Sequence, residues 1–337
     1  MKTMKVLKPF GPQDLRIVSV PIPEPGPGQV RIKIRASGIC GSDKWVWYVE
    51  NKVDAVAGHE VAGDVDKLGE GVHSLVQGDR VAINNVGGCG GCPACRGGAF
   101  VHCPHWDGSR DVNNGFGEYL IAPACNCMRL LPSLDYVEGA LVIDNWGTPY
   151  GGLLRGQVTS NMDVIVNGCG PIGQAAIALC KAKGAYVIAI DPIKWRRDLA
   201  LKNGANKALS PNDLLSETYK LTNGVGADVL LECSGVGSSY DTSLKSLRVG
   251  GTLVAIGEGA NININSSDQI IRRSLSIVGT WYSTMPNANK VMQLAAQGQI
   301  NLKCFLTHVV TLEDVPQLFE SIIGCDDGIL KCVVVFD

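Results

Sequence analysis

The stretch Asp163-Val164-Ile165-Val166-Asn167-Gly168-Cys169-Gly170-Pro171-Ile172-Gly173 constrains the fold of this chain more than any other. Its first five residues read as a short strand with a continuously apolar centre. A glycine-rich turn follows, then a helical run from Gln174 to Lys183, then a second apolar strand, Tyr186 to Asp191. Strand, turn, helix and strand within about thirty residues form a βαβ unit, which requires parallel strands. The alternation continues with a helix over 194–203, strands at 229–232 and 252–256, a helix near 240–247 and a late strand at 276–280. A helix over 286–297 and a last strand at 331–336 complete the chain, with no internal repeat.

The turn also carries chemistry. Glycine at 168 and 170 lets the backbone approach a pyrophosphate, and Gly173 lets the helix pack on its strand. Pro171 and Ile172 open that helix, whose N-terminus would face the phosphates. Asp191 ends the next strand, 18 residues after Gly173, where a carboxylate accepts ribose hydroxyls and repels the extra phosphate of NADP. NAD is therefore expected over NADP, although Arg196 and Arg197 keep a route to a 2′-phosphate open. The competing reading is a plain glycine turn with a surface aspartate.

The first third has a different character. Val30 to Ala36 alternates apolar and charged residues as a half-buried strand does, behind a proline- and glycine-rich entry at 21–28. Segments 58–65 and 79–83 read as further strands of a small antiparallel domain. Into it is inserted a lobe at 85–110 with Cys89, Cys92, Cys95 and Cys103, two overlapping C-x-x-C steps and a fourth thiol. Zinc favours closed tetrahedral thiolate sets of this kind, and iron is the alternative. Upstream, Cys40 offers a thiolate and His59 an imidazole nineteen positions later. Two ligands leave a tetrahedron incomplete, so a third ligand and an open position would make a catalytic site.

Bulk properties exclude several classes. With 337 residues and a net charge of −2, the chain has room for two domains and no basic footprint for nucleic acid or anionic membranes. No apolar run is long enough to span a bilayer, and the first residues lack the core of a signal peptide, so a cytoplasmic location is expected. In a reducing compartment the 13 cysteines read as five metal ligands, Cys169 as filler within the glycine turn, and seven buried thiols, Cys125, Cys127, Cys180, Cys233, Cys304, Cys325 and Cys332.

Gly58-His59-Glu60-Val61-Ala62-Gly63 with Gly69 and Val72, the Cys40–Ser42–Asp43 segment, the cysteine lobe and the glycine turn occur in the order found in zinc-dependent medium-chain alcohol and polyol dehydrogenases. The chain resembles that family over essentially its whole length, the sorbitol, galactitol-phosphate and cyclitol dehydrogenases among its members. The resemblance implies an α/β architecture: a GroES-like catalytic domain over 1–145 and 284–337, and a doubly wound Rossmann domain over 146–283. It implies two zinc ions per chain, a catalytic ion on Cys40, His59 and a third ligand, and a structural ion in the lobe. Asp144 is the ligand-type side chain in the matching segment, its alternative role being a helix N-cap. Glu60 matches a carboxylate that joins or leaves the metal, Asp43 a residue that orients the ligand histidine, and Ser42 a hydroxyl that passes on the alcohol proton. Lys331 matches a basic residue that reaches the cofactor phosphates, or is a surface lysine.

Relatives often carry a histidine where this chain has Trp45. Trp45, Trp47 and Tyr48 lie where relatives line the substrate pocket, or pack inside the domain, and Asn145 and Trp146 are further candidates to face substrate. The activity implied is NAD-linked oxidation of a secondary alcohol in a polyol, sugar or cyclitol. The alternatives are a simple alcohol or formaldehyde-type dehydrogenase, and a non-catalytic relative with a binding role. The expected partners are a small-molecule substrate and further copies of this chain, in a homodimer or homotetramer joined through 261–281.

Overall fold

The computed structural model describes residues 2–51, 55–259, 261–324 and 328–337. Cys325 lies outside the described residues. The chain divides into two compact units: Met1–Asp144 with Ser283–Ala296 and Leu306–Asp337, and Asn145–Tyr282 with Gln297–Phe305.

The described residues form fifteen strands, β1 to β15 in chain order. The first unit begins with β1 (Thr3–Gly11), β2 (Asp14–Pro21), β3 (Gln29–Ile39), β4 (Glu60–Leu68), β5 (Arg80–Ile83), β6 (Tyr119–Pro123) and β7 (Cys127–Arg129). The second unit holds β8 (Asp163–Asn167), β9 (Tyr186–Ile190), β10 (Lys207–Leu209), β11 (Ala227–Glu232), β12 (Leu247–Ala255) and β13 (Ser276–Gly279). The chain returns to the first unit with β14 (His308–Thr311) and β15 (Cys332–Val335).

In the first unit a sheet runs β14-β15-β3-β4-β5-β7, with β6 also pairing β3 and a separate β1-β2 hairpin. The alternation in β3 does what its period dictates: Val30, Ile32, Ile34 and Ala36 are fully buried and the charged residues between them are not. Their core faces Val61, Val65, Val81, Ile83 and Leu120. A second cluster holds Trp47, whose ring lies 5.7 Å from that of Phe319. Trp47 is thus a core residue, as burying a large ring favours, while Trp45 and Tyr48 on the same short helix are exposed.

In the second unit the sheet order is β10-β9-β8-β11-β12-β13, with parallel pairing throughout. This is the doubly wound order, and its topological switch falls between β8 and β11, where such sheets bind ligands. β8 and β9 are buried along nearly their whole length, as strands covered by helices on both faces are. Trp146 is fully buried here, its ring 5.7 Å from Phe305 and its Nε1 donating to the Leu302 carbonyl at 3.0 Å. That pairing makes Trp146 a core residue rather than a residue facing substrate. No helix among the described residues is long and apolar enough to cross a membrane.

Candidate metal and cofactor sites

In the inserted lobe a four-residue helix, Pro93–Arg96, is capped by Cys92, whose sulfur accepts from the Cys95 N–H at 3.4 Å. Cys103 Sγ accepts from the Cys89 N–H at 3.4 Å. These contacts turn the thiols inward, and the sulfurs of Cys89, Cys92, Cys95 and Cys103 all lie within 4.8 Å of one another. Zinc–sulfur bonds of about 2.3 Å give a tetrahedron with S···S edges of about 3.8 Å, so the set fits the ion. Backbone amides of Cys92 and Gly91 hold Cys89 down to about 6, and burial pushes Cys95 up to about 12. A dication bound by all four thiolates removes that conflict.

The second cluster is assembled from three distant segments of the first unit. β3 ends at Ile39, so Cys40 leaves the sheet at its tip. His59 and Glu60 enter β4 alongside, with Glu60 in register with Gly38. Asp144 comes from a π-helical turn, Val142–Gly147, a distortion that recurs at functional sites. Ligand atoms of Cys40, His59, Glu60 and Asp144 lie within 4.8 Å of one another. Asp144 Oδ2 is 3.8 Å from Cys40 Sγ and 3.3 Å from His59 Nε2. Those separations match the edges of a tetrahedron with metal–ligand bonds of about 2.0–2.3 Å.

Asp43 organises this site without joining it. Its carboxylate is buried, accepts from the backbone N–H of Cys40 at 2.8 Å and of Gly58 at 3.3 Å, and lies 3.2 Å from His59 Nδ1. That contact places a proton on Nδ1 and aims Nε2 at Asp144, the arrangement in which a histidine binds metal. The electrostatics call for a cation. Burial pulls the His59 pKa down, but Asp43 and Asp144 outweigh it and hold it well above the usual value. Burial, with Asp144 and Glu60 adding to it, pushes the Cys40 thiol up. The cluster thus gathers protons where a divalent ion on Sγ, Nε2 and Oδ2 would satisfy the same acceptors.

Lys331 has a different partner from the cofactor phosphates that the family resemblance implies. It is buried, with Nζ 2.7 Å from Glu60 Oε1, 2.6 Å from Oε2 and 2.8 Å from the Ile39 carbonyl. The physical reason is its place in the register: Cys332 opens β15 opposite Ile39, which brings Lys331 beside the Glu60 end of β4. Burial raises the Glu60 pKa against the opposing pull of Lys331.

In the second unit a cavity of about 490 Å³ opens at the carboxyl ends of β8, β9 and β11. Asn167, Gly168, Gly170, Asp191, Arg196 and Ser234 are among the residues that line it. Gly168 has φ +93°, and a Cβ at Gly173 would strike the Gly168 carbonyl oxygen, so both positions need glycine. A Cβ on Gly170 would project into open space, the room an approaching diphosphate needs. The helix Pro171–Ala182 begins there with no side-chain cap, leaving its first N–H groups for a ligand. Asp191 lines the cavity, its Oδ2 accepting from the Cys169 N–H and its Oδ1 from the Ile193 N–H, both at 2.8 Å. Arg196 lines it too and its Nε has no hydrogen-bond partner, whereas Arg197 donates to the Asp191 and Pro192 carbonyls. Both the metal clusters and this cavity fit the groups inferred for them.

The Glu60–Lys331 pair leaves no local signal in the sequence, its members being 271 residues apart. Among the remaining thiols, Cys180 and Cys332 are buried as expected, and Cys125 is exposed.

Residues 26–133 match the family described as alcohol dehydrogenase GroES-like domain, and residues 171–297 match zinc-binding dehydrogenase. The chain is 32% identical over 326 residues to L-threonine 3-dehydrogenase of Pyrococcus horikoshii, covering 91% of each. It is 32% identical over 312 residues to "Probable D-xylulose reductase A" of Aspergillus fumigatus, covering 86% of this chain and 85% of the other. Among solved structures it superposes on the "short chain alcohol dehydrogenase (rspB)" of Escherichia coli CFT073, complexed with NADH. That superposition has a TM-score of 0.89 at 26% identity and covers 100% of both chains.

Proposed function

The chain belongs to the family of zinc-binding alcohol dehydrogenases, and from that premise we propose that it oxidises a secondary alcohol of a polyol, sugar or cyclitol to the ketone, with NAD as acceptor. The observation that carries the reading is the meeting of Cys40 Sγ, His59 Nε2 and Asp144 Oδ2 at tetrahedral spacing. Three protein ligands leave one position for substrate, the signature of a catalytic rather than a structural site.

Cys40, His59 and Asp144 would hold the ion, and a bound zinc supplies Lewis acidity that eases removal of the alcohol proton. Gly168, Gly170 and Asp191 line the cavity that would hold NAD, which would supply the hydride acceptor. Asp43 fixes the tautomer of His59, and Lys331 holds Glu60 by both carboxylate oxygens. Ser42 is exposed one residue before Asp43, so its hydroxyl can pass the substrate proton to water. This supports turnover without the histidine that relatives place at position 45. Asp191 would accept from the adenosine ribose, which favours NAD over NADP.

The secondary-alcohol assignment draws on the relatives: L-threonine carries such an alcohol, and D-xylulose is a ketone at the same oxidation level as the product. We infer that the protein is a homo-oligomer joined through the edge strand β13, since an uncovered edge invites pairing. The free thiols suit a reducing compartment, which supports a cytoplasmic location.

The test is NADH formation across polyols, cyclitols and simple alcohols, with metal analysis of Asp144→Ala. Turnover of polyols or cyclitols is expected, and the variant should lose activity and fall from about two metal ions per chain to about one. Faster turnover of simple alcohols would overturn the substrate class, and an unchanged metal count would overturn the ligand set.

A further inference from the structure

Glu232 ends β11 and is fully buried. Its neighbours in register are Asn167 of β8 and Ala255 of β12. Its side chain is surrounded by donors. Oε1 accepts from the Ser234 N–H at 2.9 Å and from the Ser234 hydroxyl. Oε2 accepts from Asn167 Nδ2 at 2.7 Å, Ser239 Oγ at 2.9 Å and Ser243 Oγ at 3.3 Å. None of these partners is a cation. Three of them, Asn167, Ser234 and Ser239, line the 490 Å³ cavity that also carries Asp191.

A buried carboxylate without a counter-charge costs stability, and an apolar side chain of similar size would remove that cost. Its sign is also wrong for drawing in a diphosphate. What the arrangement supplies is fixed geometry, because a fully satisfied buried network holds its members in one arrangement. Asn167 precedes the glycine turn and Ser234 follows β11, so one carboxylate sets both lips of the cavity at the switch point.

We propose that Glu232 is a positioning residue for the adenosine half of the dinucleotide, acting through Asn167, Ser234 and Ser239 without touching the ligand. The assignment rests on the cofactor reading above, and the adenosine half is indicated because Asp191 lines the same cavity. Glutamine keeps the shape of Glu232 but turns one acceptor into a donor. In either amide orientation that donor faces an N–H donor, Asn167 Nδ2 on one side or the Ser234 backbone on the other.

The test titrates 5′-AMP and NADH into the metal-loaded wild type, Glu232→Gln and the exchange variant Asn167→Asp/Glu232→Gln, with melting temperatures measured in parallel. Glu232→Gln should raise the dissociation constant of AMP by about tenfold, one hydrogen-bonded anchor's worth. It should raise the KM for NAD more than it lowers kcat. The exchange variant restores a donor–acceptor match but moves the carboxylate onto the cavity lining, so it should bind AMP more tightly than Glu232→Gln and less tightly than the wild type, a partial recovery that a general loosening of the fold would not give. Should Glu232→Gln fail to fold, Ser243→Ala removes one buried donor that does not line the cavity, and is expected to weaken AMP twofold to threefold, of the order of one long hydrogen bond. AMP affinity unchanged in the folded variants, whatever their melting temperatures, overturns the proposal. A wild type that binds neither AMP nor NADH overturns the cofactor reading, and this inference with it.

Discussion

Replacing Lys331 by methionine removes the ammonium paired with Glu60 and roughly preserves volume. The side chains are 3% and 0% exposed, and Nζ contacts both carboxylate oxygens and the Ile39 carbonyl. Such a pair adds little net stability over an apolar pair, but breaking it from one side strands a charge in low dielectric, at a cost of about 3–5 kcal/mol. For a unit of this size, about 2–4 °C per kcal/mol converts that to a fall of about 6–20 °C in its melting temperature. Calorimetry of the metal-loaded protein reads this directly. Glu60→Gln should also destabilise, since it leaves the ammonium unpaired. The double variant Glu60→Gln/Lys331→Met, with no charge to strand, should be more stable than Lys331→Met alone, giving a coupling energy of at least about 2 kcal/mol. A fall below about 2 °C for Lys331→Met, or additive single effects, would refute the reasoning.

Other consequences can be checked alongside. Gly173→Ala places a methyl against the Gly168 carbonyl and should weaken NADH binding at least tenfold, about 1.4 kcal/mol, by fluorescence titration. Asp191→Ser removes the carboxylate that would repel a 2′-phosphate while Arg196 stays in the cavity, so the ratio of kcat/KM for NAD over NADP should fall. An unchanged ratio would mean that Asp191 does not discriminate. Cys95→Ser should release one metal ion per chain and lower the melting temperature, while Cys40, His59 and Asp144 keep theirs.

Much of the architecture was legible because it depends on short-range rules. The alternation in β3 specified which residues face the core, and the glycine spacing with Asp191 specified a dinucleotide turn on a parallel sheet. The four lobe cysteines lie within fifteen positions of one another, so chain geometry alone brings them close. Cys40 and His59 were readable as ligand types, and Asp144 became a candidate through family resemblance, not through spacing.

What sequence could not specify is partnership between distant residues. Trp45 and Trp47 are near neighbours of the same type, yet one is exposed and the other packs on Phe319. Lys331 and Glu60 meet because β15 and β4 flank β3 on opposite sides, and Glu232 gathers Asn167 because β8 and β11 are adjacent in the sheet. Local pattern determines which face of a strand is apolar and where a turn needs glycine, since those depend on neighbours in the chain. Which buried charge finds which partner depends on strand order and register, and these exist only once the sheets have formed.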